Sequence, residues 1–283
     1  MMQHRQPVQE LAAAVQAHRA GRLREAVAGY EALLERTPDD ADILQLLGVA
    51  LAQLGRCADA VVFLARSLEL KPDRPTVLLN LAQALHTLGR DEEALQSCDR
   101  ALALDASLAA GYRTRAAALT ALGRRQEALA NAGHAVRLAL KDPGAHADLG
   151  VALEAVGRDR EALECFERAT ALDPNLAAAH HNRGMLLARL GRHEQALQSF
   201  DRALALQPHH APLNANRGNT LKELGRLAEA EQSYSIALGI EPHDHGARHG
   251  RALVRYLRGR YVEALQDYDA LGAQGKENAP ALI

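Results

Sequence analysis

The sequence predicts an all-α fold, a tandem array of helical hairpins, and three observations carry that expectation. A Gly-Arg pair begins at Gly21, Gly55, Gly89, Gly123, Gly157, Gly191, Gly225 and Gly259, a step of 34 residues each time. A fixed period of this length is the mark of a repeat architecture in which each unit is one supersecondary element. Between the pairs, apolar residues recur at helical spacing: Leu186, Leu187 and Leu190 mark one helix, and Ala196, Leu197, Phe200, Ala203 and Leu204 mark the next. Composition agrees. Hydrophobic residues make up 48% of the chain but aromatics only 3%, with no Trp. That is poor material for a β-sandwich, whereas the abundant Ala and Leu are strong helix formers.

Each recurring position has a physical reason. Glycine adopts the left-handed backbone that ends one helix and opens the turn. Seven residues before it stands a small residue, Ala14, Gly48, Ala82, Ala116, Gly150, Gly184, Gly218 or Ala252, and five after it always alanine, Ala26 through Ala264. These allow two antiparallel helices to cross closely. Leucine stands four before it in six units (Leu51, Leu85, Leu119, Leu153, Leu187, Leu221), and an aromatic nine after it in five (Tyr30, Phe166, Phe200, Tyr234, Tyr268). They fill the space between hairpins. Pro38, Pro72, Pro174, Pro208 and Pro242 close the second helix, which proline cannot continue.

This pattern resembles the tetratricopeptide repeat (TPR) family over residues 7 to about 278. The resemblance implies a right-handed superhelical solenoid of antiparallel hairpins, with first helices lining a concave groove. The glycines set eight units: 7–40, 41–74, 75–108, 109–142, 143–176, 177–210, 211–244 and 245–278, with tails at 1–6 and 279–283. End units deviate, as expected of units with one neighbour: Leu33 and Leu271 replace the inner alanines, and Arg255 replaces leucine. Unit four is the weakest inner unit. It has Ala132 in the aromatic's place, Gly133 inside its second helix and Leu140 where proline is expected, which predicts an irregular or softer joint near 131–144. The chain then ends Ala281-Leu282-Ile283 without a polar capping helix. Unit eight caps itself, the natural chain is longer, or a partner covers that end.

The formal net charge is -2, from 33 basic and 35 acidic residues, so bulk electrostatics make no case for nucleic acid or an anionic membrane. Three scattered cysteines, Cys57, Cys98 and Cys165, form no disulfide framework and suit a reducing compartment. No signal peptide or membrane-length apolar run is present, so the expectation is a cytoplasmic protein.

Motifs for chemistry are missing. His193-Glu194 begins like a zincin motif, but Leu197 stands where its second histidine belongs. Gly275-Lys276 is followed by Glu277 rather than the Ser or Thr of a phosphate loop. His209, His210, His243, His245 and His249 lack the carboxylate or cysteine that would complete a metal site and read as turn and surface residues. Cys98, in an aromatic's place, reads as core. The expectation is a non-enzymatic chain with no cofactor and no metal.

The functional signal lies on the first helices. Nine residues before each glycine, units three to seven carry Asn80, Thr114, Asp148, Asn182 and Asn216, a polar ladder on the face expected to line the groove. Asparagine both donates and accepts, so it pairs with a peptide backbone whatever its sequence. Gln83, His86, Arg113, Glu154, His181, Arg189, Asn219, Lys222 and Glu223 are further groove candidates. Arg115, Arg183, Arg217 and Arg251 follow the ladder positions, where the family often has leucine, and read as packing residues rather than carboxylate anchors. The lysine, asparagine and arginine clamp of chaperone-binding members is missing: Lys222 is the groove's single lysine, and Gly250 stands where a clamp side chain belongs. The asparagine ladder resembles that of the repeat half of O-linked N-acetylglucosamine transferases, and many bacterial glycosyltransferases carry such arrays. Two readings follow: a scaffold holding a partner segment in its groove, or the substrate-presenting arm of a larger glycosyltransferase-like enzyme. The array ends are candidate faces for self-association.

Overall fold

The computed structural model describes residues 5–277, with side chains described over 8–271. Part of the expected N-terminal tail and all of Ala281-Leu282-Ile283 lie outside the described residues. Within them there are sixteen α-helices and no strand. They follow as first and second helices of hairpins: α1 (Arg5–Arg19) and α2 (Leu23–Leu34), α3 (Ala41–Gln53) and α4 (Cys57–Leu70), α5 (Pro75–Thr87) and α6 (Asp91–Leu104), α7 (Ala109–Ala121) and α8 (Arg125–Leu138). Then come α9 (Pro143–Ala155) and α10 (Asp159–Leu172), α11 (Ala177–Arg189) and α12 (His193–Leu206), α13 (Ala211–Glu223) and α14 (Leu227–Ile240), α15 (His245–Leu257) and α16 (Tyr261–Glu277). Helix α1 begins at Arg5, inside the segment read as a tail.

The chain divides into two compact units. One runs to Lys141 and includes Ala152–Gly157; the other holds Asp142–Val151 and continues from Arg158. One crossing, between Lys141 and Asp142, lies in the segment 131–144 that the sequence marks as irregular, and the other two, after Val151 and after Gly157, lie within and just beyond α9. The helices there keep their register, however: α8 has 14 residues, like α6 and α10. Gly133 is simply carried within α8, where a Cβ would meet only the Arg137 guanidinium at 3.7 Å. Leu140, in proline's place, is 65% exposed.

All eight turn glycines have positive φ, from 72 to 79°. At Gly55 the geometry is a Schellman turn: Arg56 N–H reaches Leu51 C=O at 2.9 Å and Gly55 N–H reaches Ala52 C=O at 3.0 Å. In seven of the eight turns the arginine after the glycine pairs with a carboxylate three residues on, as in Arg90–Glu93 and Arg158–Glu161, while Arg192 donates to the amide of Gln195 instead. These pairs are exposed and contribute little stability, but they place the carboxylates in the first turn of the second helices, where the helix dipole favours them.

In units five to seven the small position seven residues before the turn is a glycine matched to the ring it faces, whereas the end units have Ala14 and Ala252 there together with Tyr30 and Tyr268. A Cβ on Gly150 would come within 2.6 Å of the Phe166 ring, on Gly184 within 2.8 Å of Phe200, and on Gly218 within 2.8 Å of Tyr234. Where the facing residue is small, as with Cys98 and Ala132, the sequence has Ala82 and Ala116 instead. This match predicts opposite outcomes for one chemical change. Gly184→Ala should destabilise by about 1–2 kcal/mol, because the ring must move. Gly239→Ala, where a Cβ meets nothing within 4 Å, should stabilise by about 0.5–1 kcal/mol through helix propensity. Paired urea melts check this; shifts of the same sign would refute the packing assignment.

The arginines after the ladder positions are structural ties. Arg183 donates to Ser199 Oγ at 2.9 Å and pairs with Glu167 at 3.5 Å. Arg217 donates to Ser233 Oγ at 2.7 Å and pairs with Asp201 at 2.6 Å. Arg115 donates to Asn131 Oδ1 at 3.1 Å and pairs with Asp99 at 2.8 Å. Each guanidinium thus joins the second helix of its own hairpin to that of the hairpin before.

The α14–α15 joint departs from this scheme. Glu231 is 6% exposed and stands where inner second helices carry leucine, such as Leu197. Arg255 stands where first helices carry leucine, such as Leu221. The apolar pair of the inner joints is replaced by an ion network. Glu231 accepts from Arg255 Nε at 2.8 Å and Arg260 Nη1 at 2.7 Å, and also from Arg258. Asp267, 4% exposed, accepts from Arg251 through both oxygens, at 2.6 and 2.9 Å, and from Arg255 Nη1 at 2.9 Å.

Candidate functional site

Successive first helices touch within each unit: α3 packs on α5 and α5 on α7, and in the other unit α11 packs on α13 and α13 on α15. Second helices show no comparable packing among the described residues. The first helices therefore lie on the tighter side of each stack, and their outward faces form its inner wall.

In the first unit, Asn80 is half-buried on α5, and its amide has no hydrogen-bond partner among the described residues. Thr114, the next ladder position, is 8% exposed, so it does not present itself at the wall. Its hydroxyl donates to Gln83 Oε1 at 3.3 Å, which holds the exposed Gln83 across from α5 to α7. Arg113 is half-buried beside it. His86 is engaged by Asp91 at the turn.

In the second unit, Asp148 on α9 and Asn182 on α11 are half-buried. Asn182, like Asn80, has an amide without a hydrogen-bond partner among the described residues. Asn216 on α13 donates through Nδ2 to His181 Nε2 at 3.1 Å. The His181 ring lies edge-on to His210 at 6.0 Å. Burial and then the neighbouring His210 push the His181 pKa down, which keeps its ring neutral and able to accept from Asn216. His210 serves the backbone: its Nδ1 accepts from Leu213 N–H at 3.2 Å and caps α13.

Arg189, Asn219 and Lys222 each have a side-chain partner within the chain. Arg189 is bound by both oxygens of Asp159, at 2.8 and 3.0 Å. Asn219 Oδ1 accepts from the hydroxyl of the buried Tyr234 at 2.7 Å, which commits its carbonyl to the core. Lys222 pairs with Glu223 at 3.2 Å. Glu154 is half-buried on α9. The sequence shows all three groups as polar faces; their partners lie 15 or 30 residues away on other helices, or, for Lys222, beside it.

Burial pushes the Cys98 thiol up to about 12 and the Cys165 thiol up to about 11, the latter helped by Glu164 and Glu161. Neither is ionised near neutral pH. Among the described residues no group of three or more His, Cys, Asp or Glu is placed to hold a metal ion, and no helix is long and apolar enough to cross a membrane.

Sequence profiles described as tetratricopeptide repeat match residues 11–75 and 216–279, 55–118, and 177–210, and one described as TPR repeat matches 155–191. No curated protein matches the chain. Among solved structures, the chain is similar to YrrB, described as a TPR protein with an unusual peptide-binding site, at 26% identity and a TM-score of 0.51, over 66% of this chain and 97% of that one. It is similar to a tetratricopeptide repeat protein from Parabacteroides merdae at 16% identity and a TM-score of 0.68, over 88% and 98%. Human IFIT1, in a dimer with m7Gppp-AAAA, matches at 18% identity and a TM-score of 0.69, over 95% and 72%. The last two likenesses are of fold alone.

Proposed function

As the chain belongs to the tetratricopeptide repeat family, we propose that it is a non-enzymatic scaffold that holds an extended segment of a partner protein along its first helices. The observation that carries this reading is Asn182, half-buried on the inner wall with its amide unpartnered. Such a group gains by meeting a peptide N–H and C=O, since it is already partly withdrawn from water. Asn216 stands one repeat further on the neighbouring helix, oriented by His181. The similar YrrB structure, described as having a peptide-binding site, supports the same use of the fold here.

Peptides selected on the full chain from a displayed random library provide the test. Asn182→Ala with Asn216→Ala should weaken the selected peptides about ten-fold, the worth of one or two backbone hydrogen bonds, with helicity by circular dichroism unchanged. Affinities unchanged by the double substitution would overturn the groove assignment.

A further inference from the structure

At the inner joints, three side chains of each second helix receive the first helix of the next hairpin. A leucine six residues after the turn glycine is covered: Leu95, Leu163 and Leu197 are 6%, 8% and 5% exposed. A large residue nine after it is covered: Phe166, Phe200 and Tyr234 are 0%, 1% and 0% exposed. A carboxylate ten after it, Asp99, Glu167 or Asp201, pairs with the incoming Arg115, Arg183 or Arg217. That arginine stands four residues ahead of the leucine that packs into the joint (Leu119, Leu187 or Leu221).

Helix α16 carries the same three side chains, and among the described residues no further first helix packs over them, although the Tyr268 ring meets His249 of its own hairpin edge-on at 5.8 Å. Leu265 is 61% exposed and Tyr268 is 36% exposed. Asp269, in the register of Asp201, is exposed. Tyr261 and Val262, 58% and 69% exposed, extend the apolar surface by a turn. A contiguous apolar face with a carboxylate at its edge marks an interaction surface.

We propose that this face of α16 docks an amphipathic helix of another protein, one bearing arginine four residues ahead of leucine, stacked as a further first helix. The charge complement selects the arginine: Asp269 sits where the three inner carboxylates take theirs. Tyr268 adds a requirement. Its counterpart Tyr234 is met by Gly250, immediately before Arg251, and a Cβ there would come within 2.6 Å of the ring. The fitting sequence is therefore Gly-Arg-x-x-x-Leu. A second copy stacking head to tail would offer α1, which has Ala13 and Ala17 in place of the arginine and leucine, and so lacks both determinants.

The probe is a lactam-bridged helical peptide of residues 211–224 carrying Asn216→Gly, which retains Arg217 and Leu221. The bridge is needed because a helix this short is marginal alone. Calorimetric titration into the full chain should show saturable binding. Asp269→Arg and Leu265→Glu chains, altered at exposed positions, should each bind at least about ten-fold more weakly. The Asp269→Arg chain should recover binding to a peptide whose Arg217 is changed to Asp. No saturable binding, or binding indifferent to these changes, overturns the proposal. So does a concentration-dependent dimer in sedimentation that Leu265→Glu dissolves, which would assign the face to a second copy.

Discussion

Arg255→Leu should destabilise the last two hairpins by about 3 kcal/mol, at the low end for breaking a buried ion pair. The loss is at the low end because neither carboxylate is stranded: Glu231 keeps Arg258 and Arg260, and Asp267 keeps Arg251. The informative comparison is Glu231→Leu with Arg255→Leu. It rebuilds the leucine pair that Leu197 and Leu221 make in one apolar cluster at the preceding joint. Replacing a buried ion pair by packed apolar residues is often neutral or stabilising, so the double variant should recover most of the loss. Urea melts, with amide exchange in α15, measure both. A single variant as stable as the parent, or a double variant no better than the single, would show that the network does not hold this joint. Acid provides an independent check. Burial alone raises the pKa of Glu231, but the Arg255 hydrogen bond and the charges of Arg260, Arg255 and Arg258 outweigh it and hold the carboxyl below its ordinary range. Its stabilising effect is complete above the ordinary carboxylate pKa and lost as pH falls through the lowered folded-state value. Below about pH 4, the parent should therefore lose stability more steeply than the double-leucine variant.

Phe200→Ala should cost about 3–5 kcal/mol, the range for emptying a packed aromatic site. Phe200 is 1% exposed and packs directly on Gly184, which has no side chain to swing into the space. Cys98 holds the same position in the first unit, 0% exposed against Ala82. Cys98→Ala removes one atom and should cost only about 1 kcal/mol. In a stack whose stability is a sum of hairpin and nearest-neighbour contributions, the Phe200→Ala loss should stay local. Amide protection should fall in α11 to α13 and remain at parental values in α1 to α6. A uniform fall along the chain would contradict the nearest-neighbour account, and a loss below about 1 kcal/mol would contradict the packing.

The inner wall was partly legible as a line of residues and hardly legible as chemistry. The spacing of Asn80, Thr114, Asp148, Asn182 and Asn216 put them on equivalent turns of successive first helices. It did not reveal that Thr114 is buried, or that Asn219 serves the Tyr234 hydroxyl. Those outcomes depend on partners from other helices. Arg255 was visible as a departure from leucine, but its reason was not, because Glu231 lies 24 residues earlier. Aligning the repeats on their glycines shows both departures at once, and that coincidence is the signal that could have found the pair.

Helix type, turn positions and the hairpin period follow from the amino-acid order, because they rest on local physics. Glycine alone takes positive φ without penalty at Gly21 through Gly259, and apolar residues three and four apart share one helix face. Which polar side chains stay available to a partner, and which are used up in holding hairpins together, was settled by packing. Arg115, Arg183 and Arg217 on the one hand and Asn80 and Asn182 on the other are all polar residues on first helices. They differ in whether a second helix presents Asn131, Ser199 or Ser233 within reach. A hydrogen bond forms only at about 3 Å, a distance that sequence spacing does not encode between separate helices.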